Sequence, residues 1–362
     1  MVERIVRDAL DPDASLDELA FLAGGIINTT VALKTRSGQR AVLKISAHRV
    51  NRAHEREARE LMLLAEMGLP VPKVYAARTA SLESPHSYLL IEHVPGVTLR
   101  DAKSLCSPEQ FDELQTELAD MVATMHARTN DVYGRFEGKT FTDWPAFYQS
   151  LVEPVLAEAD KLHTLPSRTT KLIHRMHDSL PKLLAHGDPP RLCHGDLWAA
   201  NVLCRADHDG HWHIAAIIDP EARYGHGEAE LAYMDLFHTI TPTFKKRYQE
   251  THRLTETYHR VRKPVYQLYG LINQYQLHTT PQCAGARMRR RRENRRRDVN
   301  VRLTASSAAA RSFDRARRSP RSSASALCPA RDSLVRLRTP PAGVSPDRCE
   351  SRPGLPGIRP WC

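Results

Sequence analysis

Residues 192–237 read LCHGDLWAANVLCRADHDGHWHIAAIIDPEARYGHGEAELAYMDLF, and this stretch decides the fold prediction. Asp196 stands five positions before Asn201 and twenty-three before Asp219. Two apolar, strand-like segments, at residues 202–204 and 214–218, flank a turn-like tetrapeptide at residues 207–210. A hairpin of this kind brings Asn201 and Asp219 near each other, and Asp196 lies on the loop before it. The sequence therefore predicts that these three polar side chains converge at one site beside the hairpin.

The chain before residue 94 is rich in predicted strands. TTVALKT (29–35) and RAVLKIS (40–46) are typical of two strands joined by a turn at Ser37-Gly38. Gly24 and Gly25 precede the first of them. Residues 52–67 have a helical apolar face, with Gly68 placed to end the helix, and SYLLIEHV (87–94) is typical of a buried strand.

The chain after residue 94 is rich in predicted helices. Apolar residues recur at helical spacing in two segments, through Phe111, Leu114, Leu118, Met121, Val122 and Met125 and through Leu172, Ile173, Met176, Leu180 and Leu183. In FTDWPAFYQSL, we expect Asp143 to cap a helix that buries Trp144. The pattern predicts an α+β fold with an antiparallel N-terminal lobe plus a helix (1–93) and a mainly helical C-terminal lobe (94–282).

The positive charge of the chain is concentrated at its end. The 362 residues carry a net charge of +10, but residues 284–362 contain twenty arginines, no lysine and six acids, a net +14. The preceding residues therefore carry −4. Residues 283–362 lack the apolar content to fold alone, so we expect a disordered tail. A natural basic arm and translation from a shifted reading frame both explain it, and the absence of lysine favours the second.

The composition also narrows the location and the partners. The N-terminal residues contain no unbroken apolar stretch, so neither a signal peptide nor a membrane span is expected, and the cytoplasm is the expected location. The arginine runs have no interleaved aromatic residues, so a nucleic-acid partner is not expected. His208, His211 and His213 lie around a hairpin turn without a nearby cysteine pair, so zinc is not expected.

The three polar residues suit metal-assisted phosphoryl transfer. A carboxylate and an amide oxygen are ligands suited to Mg²⁺, and a separate carboxylate can accept the proton of an attacking hydroxyl. Lys44, at the end of a strand, is placed to reach nucleotide phosphates, and Glu57 on the following helix can pair with it. Gly24 and Gly25 would let backbone amides approach those phosphates. The sequence thus predicts a magnesium- and ATP-dependent kinase.

Three segments carry a resemblance to a known family. HGDLWAANV, IIDPEARYGHGEAELAYMDLF and LLIEHVPG resemble the fructosamine (ketosamine) kinases, relatives of the aminoglycoside phosphotransferases in the protein-kinase-like superfamily. The resemblance covers residues 15–280. It implies a two-lobed, protein-kinase-like fold and phosphorylation of a sugar hydroxyl on a small or protein-linked sugar amine.

The resemblance also implies a role for each matching residue. It implies that Asp196 is the catalytic base and that Asn201 and Asp219 bind Mg²⁺. Lys44 would contact the phosphates of ATP with Glu57 as its partner. Further residues are placed by position alone: Glu92 and His93 at the hinge where backbone groups bind adenine, His194 beside the catalytic loop, and Glu228 and Glu230 as an acidic pair that tethers the following helix.

Two other functions stay open at this point. An aminoglycoside or other small-alcohol phosphotransferase would have the same fold, and the charge of −4 on the body gives mild support to a cationic acceptor. A nucleotide-binding pseudokinase is disfavoured because Lys44, Asp196, Asn201 and Asp219 are all present. The sequence does not determine the oligomeric state, and a monomer is the favoured expectation.

Overall fold

A five-stranded antiparallel sheet forms the N-terminal part of the computed structural model, which describes residues 1–10, 12–22, 29–47, 52–81, 86–163 and 165–279. Its strands are β1 (Leu16–Phe21), β2 (Thr29–Thr35), β3 (Arg40–Ala47), β4 (Val74–Arg78) and β5 (His86–Glu92). The order across the sheet is β1-β2-β3-β5-β4. Strands β2 and β3 pair in the predicted hairpin with Thr30 opposite Lys44, and Gly38 has a φ of +89° in its turn.

Two helices cover the two faces of this sheet, α1 (Val2–Ala9) and α2 (Ala53–Glu66). Because side chains alternate along a strand, Leu90 packs with Val6 of α1, while Leu89 packs with Leu61 of α2. Gly68 has a φ of +77° just after α2, as predicted for a residue that ends a helix. Helix α1 was not predicted from the sequence.

Two smaller sheets lie in the C-terminal part. The first has the order β11-β10-β6 and the second the order β8-β7-β12-β9. Their strands are β6 (Val97–Thr98), β7 (Tyr133–Arg135), β8 (Thr140–Phe141), β9 (Arg191–Cys193), β10 (Val202–Ala206), β11 (Trp212–Ile217) and β12 (Arg223–Gly225). Strands β10 and β11 form the predicted hairpin, in which the Asp207 carboxylate accepts from the backbone amides of Asp209 and His211, each at 2.9 Å.

Helices make up most of the remaining C-terminal part. They are α3 (Leu99–Ala102), α4 (Pro108–Ala127), α5 (Trp144–Lys161), α6 (Ser167–Asp178), α7 (Leu180–Leu183), α8 (Gly227–Leu236), α9 (Pro242–Tyr248) and α10 (Lys263–Thr279), with a π-helical turn at Tyr258–Arg262. Asp143 caps α5 as predicted, accepting from the Ala146 amide at 3.0 Å, and Trp144 is buried. The fold is the predicted α+β arrangement.

One predicted helical segment is divided. The apolar pattern from Leu172 to Leu183 runs through α6 and α7, which are separated at Ser179. Pro181 has no amide hydrogen to continue the hydrogen bonding of α6, and α7 starts just before it. The spacing of apolar residues alone does not reveal this break.

The stripe on α4 forms the centre of the large core. Leu114, Leu118 and Met125 are fully buried among residues from α5, α8, α9 and both C-terminal sheets. None of the described helices combines the length and the apolar character needed to cross a membrane. The division at residue 93 falls between β5 and β6 and stays a prediction, and residues 283–362 lie outside the described residues.

Replacing Leu118 with alanine is expected to destabilise the protein. Because the side chain is fully buried, the change leaves a cavity and should lower the free energy of unfolding by about 2–5 kcal/mol. Chemical denaturation monitored by circular dichroism measures the effect. Leu172→Ala, at a position on α6 that is 51% exposed, is the matched control and should cost much less. Equal losses in the two variants would contradict the assignment of the core.

Candidate active site

The loop after β9 holds Asp196 and Asn201 in direct contact. The Asn201 side-chain amide donates to the Asp196 backbone oxygen at 2.9 Å and to its carboxylate Oδ2 at 3.1 Å. Gly195, which precedes Asp196, has a φ of +84°, and a Cβ there would collide with the Glu221 backbone. The loop conformation therefore requires glycine at this position.

The hairpin of β10 and β11 places Asp219 beside this loop. The backbone amide of Ile218 donates to the Asn201 oxygen at 2.9 Å, which brings the next residue close to Asn201. Asp219 has a φ of +58°, a left-handed conformation that aspartate tolerates better than most residues. Its side chain is 46% exposed. The three polar residues of the sequence prediction thus lie at one site.

Lys44 connects this site to the N-terminal sheet. Its ammonium group forms ion pairs with both Glu57 of α2 and Asp219. Burial acts to lower the pKa of Lys44, but the two carboxylates outweigh it, and the pKa is raised above its ordinary value. Lys44 is therefore charged at neutral pH. The structure brings Lys44, Glu57 and Asp219 together across 175 positions of the chain.

Of the other residues predicted to contact the nucleotide, the structure describes Glu92 and His93 but not the two glycines. Glu92 ends β5, and its amide donates to the Lys73 oxygen at 2.8 Å while its carboxylate accepts from the Lys73 amide at 3.1 Å. A nucleotide at this point would therefore have to use other backbone groups of Glu92 and His93. Gly24 and Gly25 lie outside the described residues.

Glu230 of α8 fixes the start of the loop that carries Asp196. Its carboxylate accepts from the backbone amides of Gly195 at 2.6 Å and His194 at 3.1 Å, and it is hydrogen-bonded to His126 at 3.0 Å. Burial acts to raise the pKa of Glu230, yet these hydrogen bonds lower it overall. The carboxylate is thus ionised, and it positions Asp196 by holding the backbone amides of the two residues before it. Sequence reasoning missed the part played by His126.

The two acids of the implied pair have different partners. Glu228 binds Arg262 of the π-helical turn, with Arg262 Nη2 donating to Glu228 Oε1 at 2.7 Å. This ion pair joins α8 to the turn that leads into α10. Glu230 instead joins α8 to the loop that carries Asp196.

Tyr233 contacts Asp196 directly and was also missed. Its hydroxyl donates to Asp196 Oδ1 at 2.5 Å, so each carboxylate oxygen has a partner, Tyr233 on one side and Asn201 on the other. Burial raises the pKa of Asp196 to about 6, and these two hydrogen bonds act in the opposite direction. Tyr233 lies one helical turn after Glu230 on the same face of α8, but no motif in the sequence identified it.

A buried acid on α2 reaches the segment that follows Asp219. Glu60 is 1% exposed and accepts from the Ala222 backbone amide at 3.1 Å. Burial raises the pKa of Glu60 to about 7. Helix α2 is therefore linked to the segment after β11 in two ways, by the ion pairs of Lys44 with Glu57 and Asp219 and by the hydrogen bond of Glu60.

The residues present fit a divalent cation. Asn201 uses its amide nitrogen toward Asp196, which leaves the amide oxygen as the atom to offer a metal. Asp219 offers a partly exposed carboxylate. Oxygen ligands of this kind are those that Mg²⁺ prefers, and nucleotide phosphates supply the rest in enzymes that transfer phosphoryl groups.

The family model for fructosamine kinase matches residues 1–289 of the chain. The chain belongs to the fructosamine kinase family. A "Probable ketoamine kinase" of Lactiplantibacillus plantarum is 28% identical over 273 residues, which cover 72% of this chain and 89% of that protein. One of Thermus thermophilus is 30% identical over 227 residues, which cover 60% of this chain and 73% of that protein. This fructosamine kinase family member is thus a phosphotransferase with an alcohol group as acceptor.

Solved structures agree with the fold of this fructosamine kinase family member. A "putative fructosamine-3-kinase" of Thermobifida fusca superposes with a TM-score of 0.61 at 23% identity, covering 79% of this chain and 94% of that one. An aminoglycoside phosphotransferase solved with AMP-PNP and hygromycin B superposes with a TM-score of 0.55 at 20% identity, covering 80% and 96%. The two-lobed, protein-kinase-like fold is therefore confirmed.

Replacing Glu230 with glutamine is expected to weaken both fold and activity. The two backbone amides bind different carboxylate oxygens, so the glutamine nitrogen would place a donor against the buried amide of either His194 or Gly195, and the change should cost about 1–3 kcal/mol of unfolding free energy. Turnover should fall as well because the loop carries Asp196. Thermal unfolding and a kinase assay measure the two effects. Glu256→Gln, at an exposed position, is the control, and equal behaviour of the two variants would contradict the anchoring role.

Proposed function

We propose that this enzyme transfers the γ-phosphoryl group of ATP to a sugar hydroxyl of a ketosamine, a sugar joined to an amine. The observation that carries the proposal is the convergence of Asp196, Asn201, Asp219 and Lys44 at one site. Membership of the fructosamine kinase family supports the acceptor class. The acceptor would be a small or protein-linked sugar amine, and the cytoplasm would be the place of action because it supplies magnesium and ATP.

Asp196 is the proposed catalytic base. The acceptor hydroxyl would donate to its carboxylate, as the Tyr233 hydroxyl does at 2.5 Å, and would pass its proton there as the oxygen attacks phosphorus. Asn201 holds the other carboxylate oxygen, so the carboxylate cannot rotate freely. Catalysis by the protein is then largely a matter of positioning the hydroxyl in line with the phosphoryl group.

The other residues would bind the nucleotide. Lys44 would donate to the phosphates while Glu57 keeps its ammonium group in place, and Asn201 and Asp219 would hold Mg²⁺. When bound, the ion neutralises charge that develops on the phosphate oxygens. Two further groups complete the proposal: the amides of Gly24 and Gly25 beside the phosphates, and backbone groups of Glu92 and His93 beside adenine.

An acceptor panel tests this function. The purified protein is mixed with ATP and Mg²⁺ and one of fructosyl-lysine, ribosyl-lysine, choline or an aminoglycoside, and ADP release is followed by a coupled assay. Turnover on the ketosamines alone is the expected result. Turnover on an aminoglycoside or choline alone would keep the mechanism but overturn the acceptor class.

Replacing Asp196 with alanine should abolish turnover and preserve nucleotide binding. The variant removes the proposed base but leaves Lys44 and Asp219 in place, so the loss should reach at least about a hundredfold. Steady-state kinetics and calorimetric titration with an ATP analogue measure the two properties. Asp209→Ala, in the exposed hairpin turn, is the matched control. Near-normal turnover of the Asp196 variant would remove the base from the mechanism.

Replacing Asp219 with asparagine should raise the magnesium requirement. The amide is a weaker ligand than the carboxylate because it carries no charge, so half-maximal activity should need at least about tenfold more Mg²⁺ at constant ATP. Removing free Mg²⁺ with a chelator should stop turnover of the unmodified enzyme. An unchanged magnesium titration in the variant would exclude Asp219 as a ligand.

A further inference from the structure

A pocket lined by aromatic side chains opens beside the catalytic loop. It has a volume of about 180 Å³ and lies among α5, α8, α10 and the strands β9 and β12. We call it the aromatic pocket and define it by Trp144, Tyr148, Tyr233, Tyr266 and Tyr269. Because Tyr233 also donates to Asp196, the pocket lies next to the proposed base. An acceptor whose hydroxyl meets Asp196 therefore has this pocket as its neighbour.

Arg223 of β12 brings a guanidinium group to this pocket. Its Nη2 donates to the backbone oxygen of Gly195 at 2.5 Å, so the group lies one residue from Asp196. Burial raises the pKa of Tyr148 and of Tyr233, and the charge of Arg223 acts in the opposite direction on both. The positive charge of Arg223 thus acts on two of the tyrosines that line the pocket.

The carboxylates of Glu221 and Glu230 bind groups other than Arg223. Glu221, two residues before Arg223, forms its ion pair with Arg135 at 3.3 Å. Glu230 is the one acid among the described residues that line the pocket, and it is bound to the loop amides and to His126. Within the described part of the chain, Arg223 has a hydrogen bond to a neutral carbonyl and no ion pair.

The other basic group of the lining is neutral. His226 is hydrogen-bonded to Tyr266 at 2.9 Å and to Asp188 at 3.2 Å, and burial lowers its pKa. Arg223 is therefore the one positively charged side chain of the described lining, and the one carboxylate of that lining, Glu230, is already bound to the loop amides and to His126. A polycation such as an aminoglycoside would meet repulsion from Arg223 and no available carboxylate in the described lining.

We propose that Arg223 binds a carboxylate of the acceptor, and that the acceptor is the ketosamine of a single amino acid joined through its α-amino group. The inference rests on the proposed function and narrows its substrate class. A guanidinium group offers five donors in a planar fork that matches a carboxylate, and the bond to Gly195 uses one of them. In an α-linked adduct the carboxylate lies two bonds from the sugar-bearing nitrogen, whereas a lysine side chain within a protein brings none.

A matched pair of substrates tests this inference. Fructosyl-leucine and fructosyl-leucinamide differ only in the carboxylate, and kcat/KM is measured for both with the unmodified enzyme. The expected ratio favours the acid by at least about tenfold because the bond to the guanidinium is charge-assisted. In Arg223→Gln this ratio of kcat/KM values should fall close to one because kcat/KM falls for fructosyl-leucine and stays the same for fructosyl-leucinamide. Arg223→Lys keeps the positive charge without the planar guanidinium fork, so its ratio should lie between those of the unmodified enzyme and Arg223→Gln.

Arg135→Gln is the control variant. Arg135 stands opposite Arg223 in the pairing of β7 with β12 but binds Glu221. The ratio of kcat/KM values for the two substrates in Arg135→Gln should therefore match that of the unmodified enzyme. Thermal unfolding shows whether each variant is folded. Equal turnover of the two substrates by the unmodified enzyme, or an equal loss on both in Arg223→Gln, would overturn this inference alone. A lack of turnover on both substrates by the unmodified enzyme would overturn the proposed function with it.

Discussion

The ammonium group of Lys44 is the point on which the two parts of the structure depend. It lies buried on β3, and a buried charge is stable only where opposite charges compensate it. Its two partners come from different places, Glu57 from α2 and Asp219 from the segment after β11. The N-terminal sheet, the helix beside it and the hairpin of β10 and β11 are therefore held in one arrangement. Glu60 adds a second connection between α2 and that hairpin segment.

A second set of contacts positions the loop that carries Asp196, the proposed base, from the opposite side. Glu230 holds the loop amides, Tyr233 meets the carboxylate of Asp196, and both residues lie on α8. Asn201 closes the loop on itself. The loop is thus fixed by its own asparagine and by one helix, while Lys44 fixes the side on which we propose that the nucleotide binds. Phosphoryl transfer needs these two sides to meet, since the hydroxyl and the phosphate must be aligned.

Much of this arrangement could be predicted from the sequence because local patterns determine it. The spacing of Asp196, Asn201 and Asp219 around a hairpin is short enough for turn chemistry to bring them together. Contacts between distant segments have no such pattern. Tyr233, Glu60 and Arg223 act through pairs that are 28 to 162 positions apart, and helical or strand periodicity marks them only as residues of their elements. The break at Ser179 was missed because apolar spacing continues across it.

A structure of the enzyme with Mg²⁺, a non-hydrolysable ATP analogue and fructosyl-leucine tests the proposed site most directly. We expect a metal ion on the Asn201 amide oxygen and the Asp219 carboxylate, with Lys44 turned to the phosphates. It also predicts a sugar hydroxyl within hydrogen-bonding distance of Asp196. A nucleotide bound elsewhere, or a sugar remote from Asp196 with Lys44 still paired to Asp219, would contradict it.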